Sequence, residues 1–519
     1  MKDLTSSVYS FEDLRRGDFL YVDKTEYIWQ LIRPAKELYF LSRPRRFGKS
    51  LTLSTLKAVF EGKKELFEGL AIYDKPYDWK PYPIIHLSFG DYSPINNTMD
   101  KLNGYLLDKI QAIAEQHAVK LSETTDASSA FGKLIDVLYK KDQVVILVDE
   151  YDKPILDNIS NPHIKEIQQC LKGFYSVLKD RNTQERLLFV TGVSKFCHVS
   201  LFSDLNNLTD LTMDARYATM LGYTQQEFEV NFAEQIAAAE AKQCLSHQDF
   251  LTKIKDWYDG FRFHQNSEPV YNPVSLAKFF ESGGEFSNYW FSTGTPTFLL
   301  ELAKSRNFDF ESALNEPVPA IAFDAFEIGN IDPLTLLFQT GYVTIKGTVQ
   351  QFGETWYHLD FPNKEVSSAF NAYLLNSYSG QTRSGVVKFT AELATALNKG
   401  DIKRLRKTME VFFAGISYEI HHKDESNFQN IFFALFRLLG YYIKAESHTN
   451  DGRIDAVAET DDYVFLFEFK LDGDDSALSQ IREKEYYKRY ELSRKKIFLN
   501  GVTFDTKTGQ IADWQTEEA

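Results

Sequence analysis

The chain is 519 residues long, with 43% hydrophobic, 25% charged and 15% aromatic residues and a formal charge of −15. That length is more than one hydrophobic core organises and predicts about three domains, while 42 Phe and 28 Tyr supply core material that excludes a disordered chain. The net acidity excludes a protein coated in nucleic acid but leaves room for a local basic groove, with Arg43, Arg45, Arg46 and the run Lys403, Arg404, Arg406, Lys407 as candidates.

The N-terminus has no apolar h-region, and no stretch of roughly eighteen apolar residues occurs, so a cytoplasmic protein with no membrane partner is expected. Cys170, Cys197 and Cys244 lie far apart without CxxC spacing, which suits a reducing compartment and argues against structural zinc.

Residues 11–37 read as helix, turn, helix around Tyr21–Thr25, and Glu37–Leu41 as a strand. The strand feeds Arg43–Ser50, RPRRFGKS, which opens a helical pattern to Phe60. Strand, loop and Gly-Lys-Ser at a helix start form a phosphate cradle: unsatisfied N–H groups point outward, Lys49 pairs with the anion and Ser50 ligates Mg²⁺. Gly48 allows the turn. The first glycine of the usual pattern is replaced by Arg43, so either the loop closes without glycine or an arginine reaches phosphate directly.

Pro83–Phe89 reads as a buried parallel strand, followed by helices over 98–118 and 128–140. Val144–Val148 is a second apolar strand, ending in Asp149-Glu150; Asp149 is placed to hold the Mg²⁺ shell and Glu150 to orient or deprotonate water. Leu187–Thr191 is a further strand, and Thr191, Ser194 and Lys195 at its end are candidate sensors of the terminal phosphate. Strands alternating with helices predict an α/β core with ligand beyond the strands' carboxyl ends.

RPRRFGKSL, YVDKT, VDEYDKP (148–154), TGVSKF (191–196), LFSDLNNLTD (201–210) and YDGFRF (258–263) together resemble the AAA-ATPase-like proteins of bacteria. The resemblance implies an ATP site at Gly48, Lys49, Ser50 and Asp149, joined by Arg43, Arg46 and Lys195, with Glu150 as the base. It also implies a helical lid or winged-helix-like region after the core and a homo-oligomer as a candidate state. An arginine finger is not assignable from the sequence.

In the middle of the chain, residues 221–263 read as helical, and Asn272-Pro273 caps a further helix. Leu336–Ile345 and Thr355–Phe361 alternate like paired strands, and 391–413 reads as long helices.

Near the C-terminus, Phe428–Leu439 is an amphipathic helix, Tyr441–Ala445 a strand, and Tyr463–Phe467 a central strand ending in Glu468-Phe469-Lys470. Period-two geometry points Glu468 and Lys470 the same way and Phe469 into the opposite layer. Asp455, thirteen residues before Glu468, completes a carboxylate pair able to hold Mg²⁺, while Lys470 activates water or stabilises a pentavalent phosphate. The constellation resembles the PD-(D/E)XK nuclease superfamily. That resemblance implies an acidic first-helix residue at Glu425, and a QI-x-x-K-x-Y helix face at Gln480, Lys484 and Tyr487; Ile454 stands where the superfamily's proline usually precedes the first Asp.

The expected fold is α/β throughout: an ATPase core (1–215), a lid region (216–300), a mixed connecting region (301–410) and a restriction-endonuclease-like domain (411–519). The expected function is an ATP- and Mg²⁺-dependent switch controlling a nuclease that acts on nucleic acid, DNA ahead of RNA, in a defence or mobile-element setting. The competing expectation is a nucleotide-dependent switch whose last domain grips nucleic acid or a partner without cutting.

Overall fold

The computed structural model describes the chain apart from residues 1, 94–96, 160, 196–200, 203, 204, 206, 294–296, 324–330, 417–424, 441–443, 451, 452 and 473–476. Side chains are also left undescribed at 292, 293, 297, 298, 425, 426, 444–450, 453–455, 484, 486 and 489. Two compact units emerge, one built from 1–290 with 319–363, the other from 291–318 with 364–519. The stretch 301–410 is therefore divided between both units.

The first unit is organised on five parallel strands: β1 (Glu37–Ser42), β2 (Ile84–Ser88), β3 (Val144–Asp149), β4 (Glu185–Gly192) and β5 (Thr209–Asp210), in the spatial order β2-β3-β4-β1-β5. β3 and β4 are buried at every position, as continuous apolar runs require when both faces of a parallel sheet are covered. The order reverses at β1: the chain leaves β1 for the far edge, returns to β4 beside it, then exits to β5 on the other side. Such a reversal opens a crevice at the strands' carboxyl ends, and helix α1 (Lys49–Phe60) starts there.

Beyond the sheet come helices Gln225–Asn231, Ala233–Gln243 and His247–Tyr258, and Pro273–Glu281 begins as expected, with Asn272 accepting from the N–H groups of Val274 and Ser275. Their shared core includes Phe228, Phe250, Tyr258, Tyr271 and Phe279. The expected strand over 336–345 is corrected: Pro333–Gln339 is a helix, capped by Asp332 with Pro333 in its first turn, and only Thr344 opens β6 (Thr344–Gln351), which pairs antiparallel with β7 (Glu354–Asp360).

The second unit contains a mixed five-stranded sheet: β8 (Lys444–Asn450), β9 (Arg453–Glu459), β10 (Tyr463–Leu471), β11 (Lys496–Asp505) and β12 (Gln510–Glu518), paired in sequence order with only β10–β11 parallel. Helix α2 (Glu425–Leu439) covers one face through Phe432 on Phe469, ring centroids 4.1 Å apart. Helix α3 (Ala477–Lys484), which makes the β10–β11 crossover, covers the other through Leu478 and Ile481 on Val464 and Leu466. The start of the expected strand at 441–443, and Gly294–Pro296, lie outside the described residues.

Candidate nucleotide and phosphodiester sites

β1 delivers the loop 43–48 to the crevice, and Gly48, in the left-handed region at φ 93°, turns it into α1. A glycine N-cap brings no side-chain acceptor, so the first N–H groups of this twelve-residue helix keep their partial positive charge. Lys49 is buried and its Nζ donates to the carbonyls of Arg43 and Pro44 at 2.9 and 3.0 Å. Burial lowers its pKa, against the pull of Asp149, Asp152 and Glu150. Ser50 Oγ donates to Asp149 Oδ2 at 2.6 Å and Thr191 Oγ1 to Asp149 Oδ1 at 2.8 Å. One carboxylate at the end of β3 thus joins the start of α1 to the end of β4, its neighbour in the sheet.

Glu150 follows in a left-handed conformation, φ 54°, which costs a non-glycine residue about 1–3 kcal/mol and is characteristic of functional sites. Burial raises its pKa, and the neighbouring Asp149 adds to that, the shift a general base requires. Asp152 is buried and fixes the end of β4, accepting from Val193 N (3.0 Å), Ser194 N (2.8 Å) and Ser194 Oγ (2.9 Å). Sequence reasoning left Asp152 without a role, although it stands in the same VDEYDKP stretch.

The three arginines of the loop part company. Arg43 is 1% exposed; its guanidinium donates to the carbonyls of Ser42 (2.9 Å), Thr212 (2.6 Å) and Tyr217 (3.2 Å) and lies 4.2 Å from the centre of the Phe263 ring. Burial pulls its pKa down towards about 9, with Asp210 opposing. It faces the segment after β5, so the loop closes without its first glycine by tying an arginine inward. Arg46, at φ 69°, donates to the Tyr289 carbonyl at 2.6 Å. Arg45, which lies outside the expected set of ATP-site residues, is the exposed one. Phe47 packs edge-on to Phe261 and Phe263 at 4.8 and 5.3 Å, so YDGFRF braces the loop. Lys195 pairs with Asp210 of β5 at 2.7 Å, and its N–H donates to Gln339 Oε1. Within YVDKT, Asp23 accepts from the N–H and the hydroxyl of Thr25 at the start of the following helix, and Lys24 pairs with Glu227 at 2.7 Å.

In the second unit, the antiparallel register sets Asp455 of β9 directly opposite Glu468 of β10, and Arg453 opposite Lys470. Glu468 is 1% exposed and Lys470 partly exposed, with Phe469 between them in the opposite layer beneath α2. On the other side, Glu468 faces Gly501 of β11. A Cβ on Gly501 would stand 2.3 Å from Leu478 N, so glycine is what lets α3, carrying Gln480, begin beside Glu468. The side chains of Asp455, Glu425 and Lys484 lie outside the described residues; Glu425 opens α2 as expected. The expected single helix face fails at Tyr487: α3 ends at Lys484, Glu485 turns at φ 51°, and Tyr487 lies in a separate 3-10 segment. Among the described residues no group of three or more His, Cys, Asp or Glu side chains is placed to hold a metal ion, and no helix is long and apolar enough to cross a membrane.

Residues 6–202 match the family model described as a predicted AAA-ATPase, and residues 423–514 match the PD-(D/E)XK nuclease superfamily. An uncharacterized protein of the vnfD 5′ region of Azotobacter chroococcum mcd 1 is 37% identical over 531 residues, covering 99% of each chain.

Proposed function

The chain belongs to the predicted AAA-ATPase family and carries a PD-(D/E)XK nuclease superfamily domain behind its ATPase domain, and from that premise we propose that it is a nucleotide-controlled nuclease. The observation that carries the first half is the Ser50–Asp149–Thr191 hydrogen-bonded set beside Lys49 and an uncapped helix start. These residues fit a polyphosphate with a divalent ion: a hydroxyl and a carboxylate for the ion, an ammonium and N–H groups for the anion.

Bound ATP with Mg²⁺ supplies a phosphoanhydride bond to hydrolyse, and Mg²⁺ in the second unit supplies Lewis acidity toward a phosphodiester. Ser50 and Asp149 would hold the ion, Lys49, now on the loop carbonyls, would bind the phosphate oxygens, and Glu150 would accept the proton of the attacking water. Thr191, fixed to Asp149, and Ser194, fixed to Asp152, report the state of the site to the end of β4. In the second unit Asp455 and Glu468 would hold the ion, Lys470 would orient water and Gln480 would position the strand being cut. The substrate class is nucleic acid, DNA ahead of RNA, and a defence or mobile-element setting suits a switch coupled to a cutting domain.

Lys49→Ala is expected to abolish nucleotide binding by calorimetry; unchanged affinity removes the ATP assignment. Wild type is expected to cleave plasmid, single-stranded DNA or RNA with Mg²⁺ or Mn²⁺, and Lys470→Ala to be at least roughly a hundredfold slower. Equal inertness of both across metals and nucleotides, with nucleic acid still bound, would instead make the domain a grip that does not cut.

A further inference from the structure

The loop holds three arginines, and their surroundings separate them. Arg43 is closed off against the carbonyls of Thr212 and Tyr217, and Arg46 donates to the carbonyl of Tyr289. Arg45 between them has its backbone pinned, since its carbonyl accepts from Trp290 Nε1 at 3.4 Å, yet its side chain is exposed and its guanidinium has no hydrogen bond or ion pair among the described residues. It stands in the loop between the end of β1 and the helix start at Lys49, exposed at the mouth of that loop, and its positive charge acts to lower the pKa of both Lys49 and Glu150. Those two residues handle the terminal phosphate and the attacking water on the reading given above, on which this inference rests.

We propose that Arg45 is the guanidinium that meets the terminal phosphate of a bound nucleoside triphosphate, supplied from within the loop of the same chain. A rigid planar donor so placed adds charge-assisted hydrogen bonds to the one phosphate that a diphosphate lacks. The same charge stabilises the transferring phosphoryl group, the part an arginine finger plays when a second molecule brings it. Arg45 therefore discriminates triphosphate from diphosphate, and the chain needs no neighbour to complete its site.

The test is calorimetric titration of the full chain with Mg²⁺ and either ATPγS or ADP, in wild type, Arg45→Ala and Arg45→Lys. Arg45→Ala is expected to weaken ATPγS by roughly tenfold or more while ADP changes by less than about twofold, with Arg45→Lys intermediate and all three melting alike, since the side chain is exposed. Equal losses for both nucleotides, or none for ATPγS, overturn the assignment. Wild type that binds neither nucleotide overturns the ATP reading itself, which is a distinct outcome. Basal turnover per chain is expected to be independent of protein concentration; a steep rise with concentration shows that a neighbouring molecule supplies the cation and overturns the assignment to Arg45.

Discussion

Glu185 opens β4 with no exposed surface and with neither carboxylate oxygen hydrogen-bonded among the described residues. Burial pushes its pKa up to about 7, with Lys36 opposing. Since the folded pKa stands above the unfolded value, its contribution is fully present below about pH 4 and is lost as pH rises towards 7, up to about 3 kcal/mol in all. Glu185→Gln is therefore expected to be more stable than wild type at pH 8 and by a clearly smaller margin at pH 5, read from denaturant midpoints; the same margin at both values refutes it. Arg43 allows a second experiment at this scale. Arg43→Gly restores the standard loop glycine, yet it removes three carbonyl partners and a buried side chain, so a loss of about 2–4 kcal/mol is expected, with Arg43→Lys recovering little because one ammonium cannot fork to Thr212 and Tyr217. A variant as stable as wild type would mean that the loop does not depend on that tie. The sequence placed Arg43 in the loop but left its role open, because its partners lie 169 and 174 residues further along the chain. Nothing in the local spacing encodes a contact of that kind. Lys49, Ser50 and Asp149 were legible because helix starts and strand ends fix their surroundings locally.

At the scale of elements, apolar runs identified β1 to β4, since a strand buried on both faces is apolar through most of its length. β5 escaped because two residues carry no period. The expected strand Leu336–Ile345 starts inside the helix Pro333–Gln339, and Asp332-Pro333, an N-cap followed by proline, is the sequence signal that marks that helix. Gly501 shows a constraint that the sequence carried silently: α3 sits on β11 only because no Cβ intervenes. Gly501→Ala is expected to displace α3 and cost about 1–3 kcal/mol, while Gly347→Ala in β6, with no atom within 4 Å of the added carbon, is expected to be neutral or slightly stabilising. Urea midpoints compare the two, and equal effects would show that the approach of α3 to β11 is not tight. Cleavage by Gly501→Ala is expected to fall as well, because Gln480 rides on the displaced helix.

For the whole molecule, the boundaries suggested by motifs and those set by packing differ. The nuclease-like motifs begin at Glu425 and the family match at residue 423, so a cut near 411 looks natural. The compact unit, however, also takes in 291–318 and 364–410. Asn430 of α2 is 1% exposed, and its side chain is satisfied by Phe308 O at 2.7 Å, by the N–H of Phe310 at 3.1 Å and by Tyr378 Oη at 3.3 Å. Phe310 packs on Phe370 and Phe433, at 5.6 and 6.4 Å between ring centres, and Phe389 stacks on Phe412 at 4.0 Å. A fragment spanning 411–519 would leave Asn430 buried without partners or flooded with water, and would uncover the Phe-rich face of α2, a liability for association. It is expected to aggregate or to unfold without cooperativity. The fragment 364–519 regains Tyr378, Phe370 and Phe389 and should unfold cooperatively at a reduced urea midpoint; fusing 291–318 to it should raise that midpoint by restoring Phe308 and Phe310. If 411–519 alone unfolds with the midpoint of the fused form, those buried contacts contribute nothing. The nuclease-like sheet would then be an autonomous module, and the interleaving of the chain an accident of connection, not a requirement of the fold.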